Sequence, residues 1–475
     1  KKVLRYIRNM DSFNKKPLPH VIVCVHGLGG SSEDFRVVTT SIGHLIQTED
    51  PDSLIIIRSN ANAGRKTHDG IDVCADRLVK EIHEIVSERV LKISDYVMPS
   101  LIDSLHNDDN NITDLKVDPD NEIDDSLPIQ SCTPLESSID PFDDNVSSQK
   151  SPPTTTTTTT PQPPFHLSFL CHSLGGLIAR QAIFLAFEDS RYSSFSFPKL
   201  FRCGSFISLS SPHLGIRHPG SGKHVSQLHK DFFQGGSRFI NSTFLGRTGK
   251  QLYLKDYSST TTNKHHDCLL YRMCSSAHIS SLSRFRFLTL IGATRHDHFV
   301  PFCSSTIRSH NPYTDSIVRS NPASCSLRHF SGFDVDSSWP VEVQKLYDNL
   351  FFRALNYTKC SSLASPSPPP FLLGCHRSTG KQQKSSVFHR DNLRQLRFLP
   401  FMMSQLQLLP WRRLNLHFEV PSLLFENNAH TLSMGSWFRG SKSQMESSAR
   451  SALRILLATV FLDHHMLSAL SSSTS

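Results

Sequence analysis

Apolar positions along the chain gather into two alternating kinds of run. Short continuous stretches of Val, Ile, Leu and Phe read as strands buried on both faces of a sheet: "HVIVCV" at 20–25, "SLIIIRS" at 53–59, "FHLSFL" at 165–170, "CGSFISLS" at 203–210 and "FRFLTLIG" at 285–292. "RRLNLHFEV" at 412–420 instead alternates, with Leu414, Leu416, Phe418 and Val420 on one face. Between these runs the spacing is helical. "SSEDFRVVTTSIGHLIQ" predicts a helix capped by Ser31 or Ser32. Ile71, Ala75, Leu78, Ile82 and Ile85 form one apolar stripe, and Leu174, Leu177, Ile178, Ala182 and Leu185 form another. Strands alternating with helices imply an α/β fold, a doubly wound and mostly parallel sheet, with its site at the carboxyl ends of the strands.

Two stretches break the pattern. Residues 103–164 include "NDDNN", "DPDNEIDD" and "SPPTTTTTTTPQPP" and carry too little apolar surface to offset the entropy of ordering, which predicts a disordered insert. Residues 361–388 read as a second, Ser/Pro-rich insert. The expected organisation is therefore an N-terminal half at 1–102, the insert 103–164, a central part at 165–360, the insert 361–388, and a C-terminal part at 389–475 with a last strand and a helix.

Composition narrows the function classes. Of the 475 residues 38% are hydrophobic, low for a fully packed chain, and the net charge of +8 is spread over the whole length. No basic stripe with interleaved aromatics occurs, so nucleic acid is a poor partner. No run approaches 18 apolar residues, which argues against a membrane-spanning helix. The sequence begins "KKVLRYIRNMD", which reads as a fragment or processed piece whose N-terminal targeting is not visible. The 11 cysteines are scattered and several fall in strand runs, as expected of reduced thiols in a cytoplasmic protein. "NKHHDC" at 263–268 lacks a partner cluster at metal-ligand spacing and reads as a solvated loop, so neither metal nor cofactor is expected.

The chemistry is carried by "FLCHSLGGLIARQ" at 169–181, a strand that stops at Ser173 and becomes a helix. A nucleophile elbow has the pattern Gly-x-Ser-x-Gly, and here Cys171 stands in place of the first glycine. Such a turn exposes the serine above the sheet edge and aims the first amides of the helix at the site. Gly175 and Gly176 supply the small residues the crowded turn needs. The competing reading is a Ser-Leu-Gly-Gly turn without chemistry. Upstream, "VHGLGG" follows the first strand: the His26-Gly27 step lets the loop approach the elbow, where the N–H groups of Leu28 and Leu174 would pair as an oxyanion hole. A phosphate loop is the rival, but "GLGGSSED" has no Lys and is followed by acids.

"VIVCVHGLGGSSEDF", "LSFLCHSLGGLIAR", "SLSSPHLGIR", "RTGKQLYLKD" and "DHFVPFCSSTIRS", in that order, resemble the lipase-like serine-esterase family of the α/β-hydrolase superfamily. The resemblance covers 18–100 and 165–310, and 390–440 more loosely. It implies an α/β-hydrolase fold and a Ser-Asp-His triad acting on carboxylic esters, with lipid acyl esters foremost. The acid should follow a strand beyond the elbow, and Asp297 in "DHFVPF" fits; a loop Asp capping the next turn is the alternative. His296, His298 and His172 are read as decoys. The base should follow the last strand, which favours His430 in "NNAHT" over His389 and His417, while His464 and His465 lie in a helical stretch. The region 212–285 is where a lid over an apolar substrate is expected. The amphipathic stretch 448–470 raises contact with a membrane or lipid-droplet surface as an expectation. The alternative function is a hydrolase-fold protein without turnover that binds lipid or protein.

Overall fold

The structure is a computed structural model. It describes residues 19–46, 54–94, 165–216, 245–257, 267–295, 297, 299–309, 311, 324–331, 398–419, 429–434 and 442–473. Both expected inserts, together with His296, His298, His389 and Val420, lie outside the described residues.

Seven strands form one sheet: β1 (His20–Val25), β2 (Leu54–Arg58), β3 (Phe165–His172), β4 (Phe201–Leu209), β5 (Phe287–Ala293), β6 (Ser324–Ser331) and β7 (Trp411–Glu419). Their order is β2-β1-β3-β4-β5-β7-β6. All pairings are parallel except β6 with β7, which is antiparallel. The helices that bear on the site and the core are α1 (Arg36–Ile46), α2 (Ile71–Ser94), α3 (Gly175–Glu188), α4 (Gly246–Leu252), α5 (Leu269–Arg272), α6 (Ser276–Ser283), α7 (Phe302–Thr306), α8 (Phe398–Gln407), α9 (Ala429–Leu432) and α10 (Lys442–Ser473). The expected doubly wound parallel sheet is what the chain forms.

Alternate residues of each strand serve opposite layers, because successive side chains of a strand point to opposite faces. Val21, Val23 and Val25 of β1 join Leu167, Phe169 and Cys171 of β3 against α2, α3 and α8. Ile22, Cys24 and Leu170 face the other way, against α1 and α10. A strand covered on both faces is apolar along most of its length, and all six residues of β1 are buried, with His20 the one polar side chain among them. The stripe of α2 runs as the spacing predicts through Ile71, Ala75, Leu78 and Ile82, then shifts to Val86, with Ile85 only partly covered. At the other helix Ser31 closes a capping box with Asp34, and one 3-10 turn (Ser32–Phe35) precedes α1.

The structure adds to or corrects the sequence reading at three places. The antiparallel edge strand β6 was not foreseen, since its alternating polar sequence "SCSLRHFS" offers no apolar run. In the described parts of 212–285, where a lid is expected, Leu252, Leu254, Leu269, Leu270 and Met273 are buried in the core, and 217–244 and 258–266 lie outside the described residues. The apolar face of α10, whose periodicity pointed to a membrane surface, lies on the sheet through Ala452, Ile455, Leu456, Val460 and Leu462. No helix among the described residues is long and apolar enough to cross a membrane.

Candidate active site

Strand order reverses between β1 and β3, so the loops leaving these two neighbours diverge and leave a crevice at their carboxyl ends. The β3–α3 turn enters this crevice at Ser173, which has φ 54°. That left-handed conformation is costly for a residue with a Cβ and persists only where the surroundings enforce it. Here they do. The Ser173 amide donates to the Leu209 carbonyl of β4 at 2.8 Å, while α3 begins two residues later at Gly175. A Cβ on Gly175 would fall on the carbonyl of Val25, and one on Gly176 would strike the hydroxyls of Ser208 and Ser211. Gly175 is thus required by the approach of the β1 backbone and Gly176 by the side chains of Ser208 and Ser211, as the crowded turn predicts. Cys171 is fully buried between β1 and β4, on the face covered by α2 and α3. Burial pushes its thiol well above the usual range, so it acts as an apolar filler and not as a nucleophile.

The β1 loop comes as close as its sequence suggests. A Cβ on Gly27 would stand 2.8 Å from the Cβ of Ser173 and 3.3 Å from its Oγ. The His26 ring is buried beside it, with Nδ1 3.0 Å from the Gly27 carbonyl. Gly29 donates to the Thr67 hydroxyl at 2.9 Å, and the Thr67 hydroxyl donates to the Gly64 carbonyl at 2.7 Å. Thr67 was not picked out from sequence; it ties the glycine loop to the segment after β2. Among the described residues neither the Leu28 nor the Leu174 amide donates to an acceptor.

Asp297 follows β5, and His430 sits in the single turn α9 beyond β7. The structure brings the two together across 133 positions of sequence: the Nδ1 of His430 lies 3.0 Å from the Oδ2 of Asp297. The other carboxylate oxygen accepts from the amides of Phe299 at 3.1 Å and Val300 at 2.9 Å. Burial by itself would push this carboxyl up. The His430 ring, its hydrogen bond and the Val300 amide outweigh that and hold it below the usual carboxylate range. An ionised carboxylate only accepts, so Nδ1 of His430 carries the hydrogen and Nε2 is left as the basic nitrogen.

The remaining histidines divide. The ring of His172 lies against that of His430, centroids 4.7 Å apart, and its Nε2 is 3.0 Å from the His430 carbonyl. Reading it as a decoy is corrected on this point: it touches the candidate base although it cannot reach the neighbouring Ser173 as a triad member would. His417 is buried in β7 with Nδ1 2.9 Å from the Thr294 hydroxyl. His464 is in α10 against His20, away from the elbow. Among the described residues no group of three or more His, Cys, Asp or Glu side chains is arranged to hold a metal ion.

A family model described as "Putative serine esterase (DUF676)" matches residues 15–97 and 154–310, half of the chain. The chain belongs to this serine-esterase family. The match takes in the glycine loop, the elbow and Asp297, whereas His430 lies beyond it. A stretch of 141 residues is also 33% identical to the yeast (Saccharomyces cerevisiae) protein named "Putative lipase YDL109C". That stretch is 30% of this chain and spans 18% of the relative's length. Family membership explains why the five motifs occur in one order, and the sheet brings together those that hold the glycine loop, the elbow and Asp297, which follow the carboxyl ends of β1, β3 and β5.

Proposed function

We propose that the protein is a serine hydrolase that cleaves carboxylic esters through an acyl-enzyme, with lipid acyl esters as its substrate class. Ser173 attacks the ester carbonyl as His430 Nε2 takes its proton. Asp297 keeps the imidazole in the correct tautomer and stabilises the imidazolium. The amides of Leu28 and Leu174 receive the oxyanion. The proton then passes from His430 to the leaving alkoxide, and a water activated by the same nitrogen releases the acid and restores Ser173. The observation that carries this reading is the Asp297–His430 pair held beside a strained serine elbow. Phe299, 58% exposed with its ring centroid 5.4 Å from that of His430, supports an apolar acyl group at the entrance. The free thiols of Cys24, Cys74, Cys171, Cys203, Cys268, Cys274 and Cys303 support a reducing, cytoplasmic setting, and a lipid substrate would bring the protein to membrane or droplet surfaces.

An active-site fluorophosphonate tests the proposal, since it modifies only an activated serine. The wild-type protein should be labelled once and lose activity toward p-nitrophenyl esters. Ser173→Ala should fold, escape the label and lose activity by about 10⁴-fold. Retention of more than about a tenth of the activity, against the loss expected of a triad member, removes Ser173 from the role of nucleophile.

A further inference from the structure

His172 takes no part in the proton transfers above, yet its position is specific. The ring is buried, and its Nε2 lies 3.0 Å from the main-chain carbonyl of His430. A carbonyl only accepts, so Nε2 carries the hydrogen and donates it. Burial, reinforced by the neighbouring His430 ring, pushes the His172 imidazole down to about 3, so this neutral donor persists through neutral pH.

What the bond joins gives it meaning. His430 belongs to α9, a single turn of four residues. Asp297 governs the orientation of its ring through Nδ1 but does not set how far the turn stands from the elbow. Ser433, the residue after the turn, donates its hydroxyl to the same carbonyl at 2.8 Å, and that bond is local. The His172 bond leaves the turn and ends on the residue bonded to Ser173. We propose that His172 is a positioning residue, whose Nε2–H tethers the His430 main chain to the elbow and thereby sets the approach of base to nucleophile. This rests on the roles given above to Ser173 and His430. A misplacement of about 1 Å between reacting groups can cost about a hundredfold in rate, so one tether here is enough to matter.

The test uses the full chain with His172→Gln, His172→Asn, His172→Phe and, as a control, His430→Ala. Gln places an amide nitrogen where Nε2 stands, whereas Asn places one only where Nδ1 stands. We expect His172→Gln to keep kcat within about 3-fold, and His172→Asn and His172→Phe to lose about 30- to 100-fold, the scale of a 1 Å misplacement. KM should hold steady throughout. The acid limb of the pH profile should keep its midpoint, because His172 does not titrate there. Asn as active as Gln, or an acid limb that moves in the Phe variant, overturns the tether. Should the Phe variant fail to fold, the Gln–Asn contrast decides alone. Activity surviving in His430→Ala would overturn the triad itself, a different result from an indifferent position 172.

Discussion

At position 171 a cysteine occupies the place where the elbow pattern has glycine, and its surroundings say what it does there. The side chain is fully buried, with Val25 as its register partner on β1 and Ser208 on β4. Cys171→Gly should therefore keep turnover, at a cost of roughly 0.5–1 kcal/mol of stability from backbone entropy and lost packing. Cys171→Leu adds a branched group to a filled layer. It should cost about 1–3 kcal/mol and lower kcat by up to about a hundredfold as the elbow shifts. Urea unfolding with ester kinetics on the three proteins checks this; equal rates for Gly, Cys and Leu would show that the elbow is not packed at 171. Ser173, Gly27, Gly175 and Gly176 were legible from sequence because close backbone approach leaves few residue choices, and those choices are visible as letters. The contact of His172 with His430 was not, because it joins residues 258 positions apart and depends on how α9 lies over the sheet.

Elements show the same division. The strands buried on both faces were readable because a run covered from two sides is mostly apolar, and each polar residue in it needs a buried partner, as Ser168 has in His20. β6 was not, since an edge strand pairs on one side only and its alternating polar residues mimic a loop. The placement of α10 was equally hidden: an amphipathic helix advertises an apolar face without naming what covers it. The structure names it, and adds a buried ion pair between Arg412 of β7 and Asp463 of α10, with the guanidinium over the ring of Phe287. The side chains are 7% and 1% exposed, so neither charge has water to fall back on. Asp463→Asn should destabilise the protein by about 3–5 kcal/mol, the cost of leaving a buried charge without its counter-ion. Replacing both, as Arg412→Met with Asp463→Leu, should recover most of that loss. Denaturant midpoints of the single and double variants measure the difference. A double variant as unstable as the single one would mean that the loss does not come from a stranded charge.

The whole molecule buries many histidines. His20, His166, His172, His213, His278 and His464 are all pushed down chiefly by burial, His166 and His464 to about 4, His172 and His278 to about 3, and His20 and His213 well below the ordinary value of 6.5. In the unfolded chain each takes up its proton near pH 6.5, while in the folded protein each stays neutral to a much lower pH. Between those limits the unfolded state binds more protons, so stability is full above pH 6.5 and falls as the pH drops toward 4. Each such histidine contributes a slope of about 1.4 kcal/mol per pH unit at most. At one contact a neighbouring ring adds to the effect of burial on His20. The Nδ1 atoms of His20 and His464 lie 3.0 Å apart, and His20 Nε2 is 2.6 Å from the Ser168 hydroxyl. A single hydrogen serves the pair of Nδ1 atoms; a proton on both rings would set two hydrogens and two charges against each other and push α10 off β1. Asp297 acts lower still, its depressed carboxyl giving stability that disappears only as the pH falls below the ordinary carboxylate range. Urea midpoints should therefore be level from pH 8 to 7 and decline steeply from 6.5 to 4.5. His464→Gln, which cannot take up a proton, should make that decline shallower. A midpoint unchanged between pH 7 and 5 would mean that these rings are hydrated and free to titrate, and that the layer between α10 and the sheet is not closed to water.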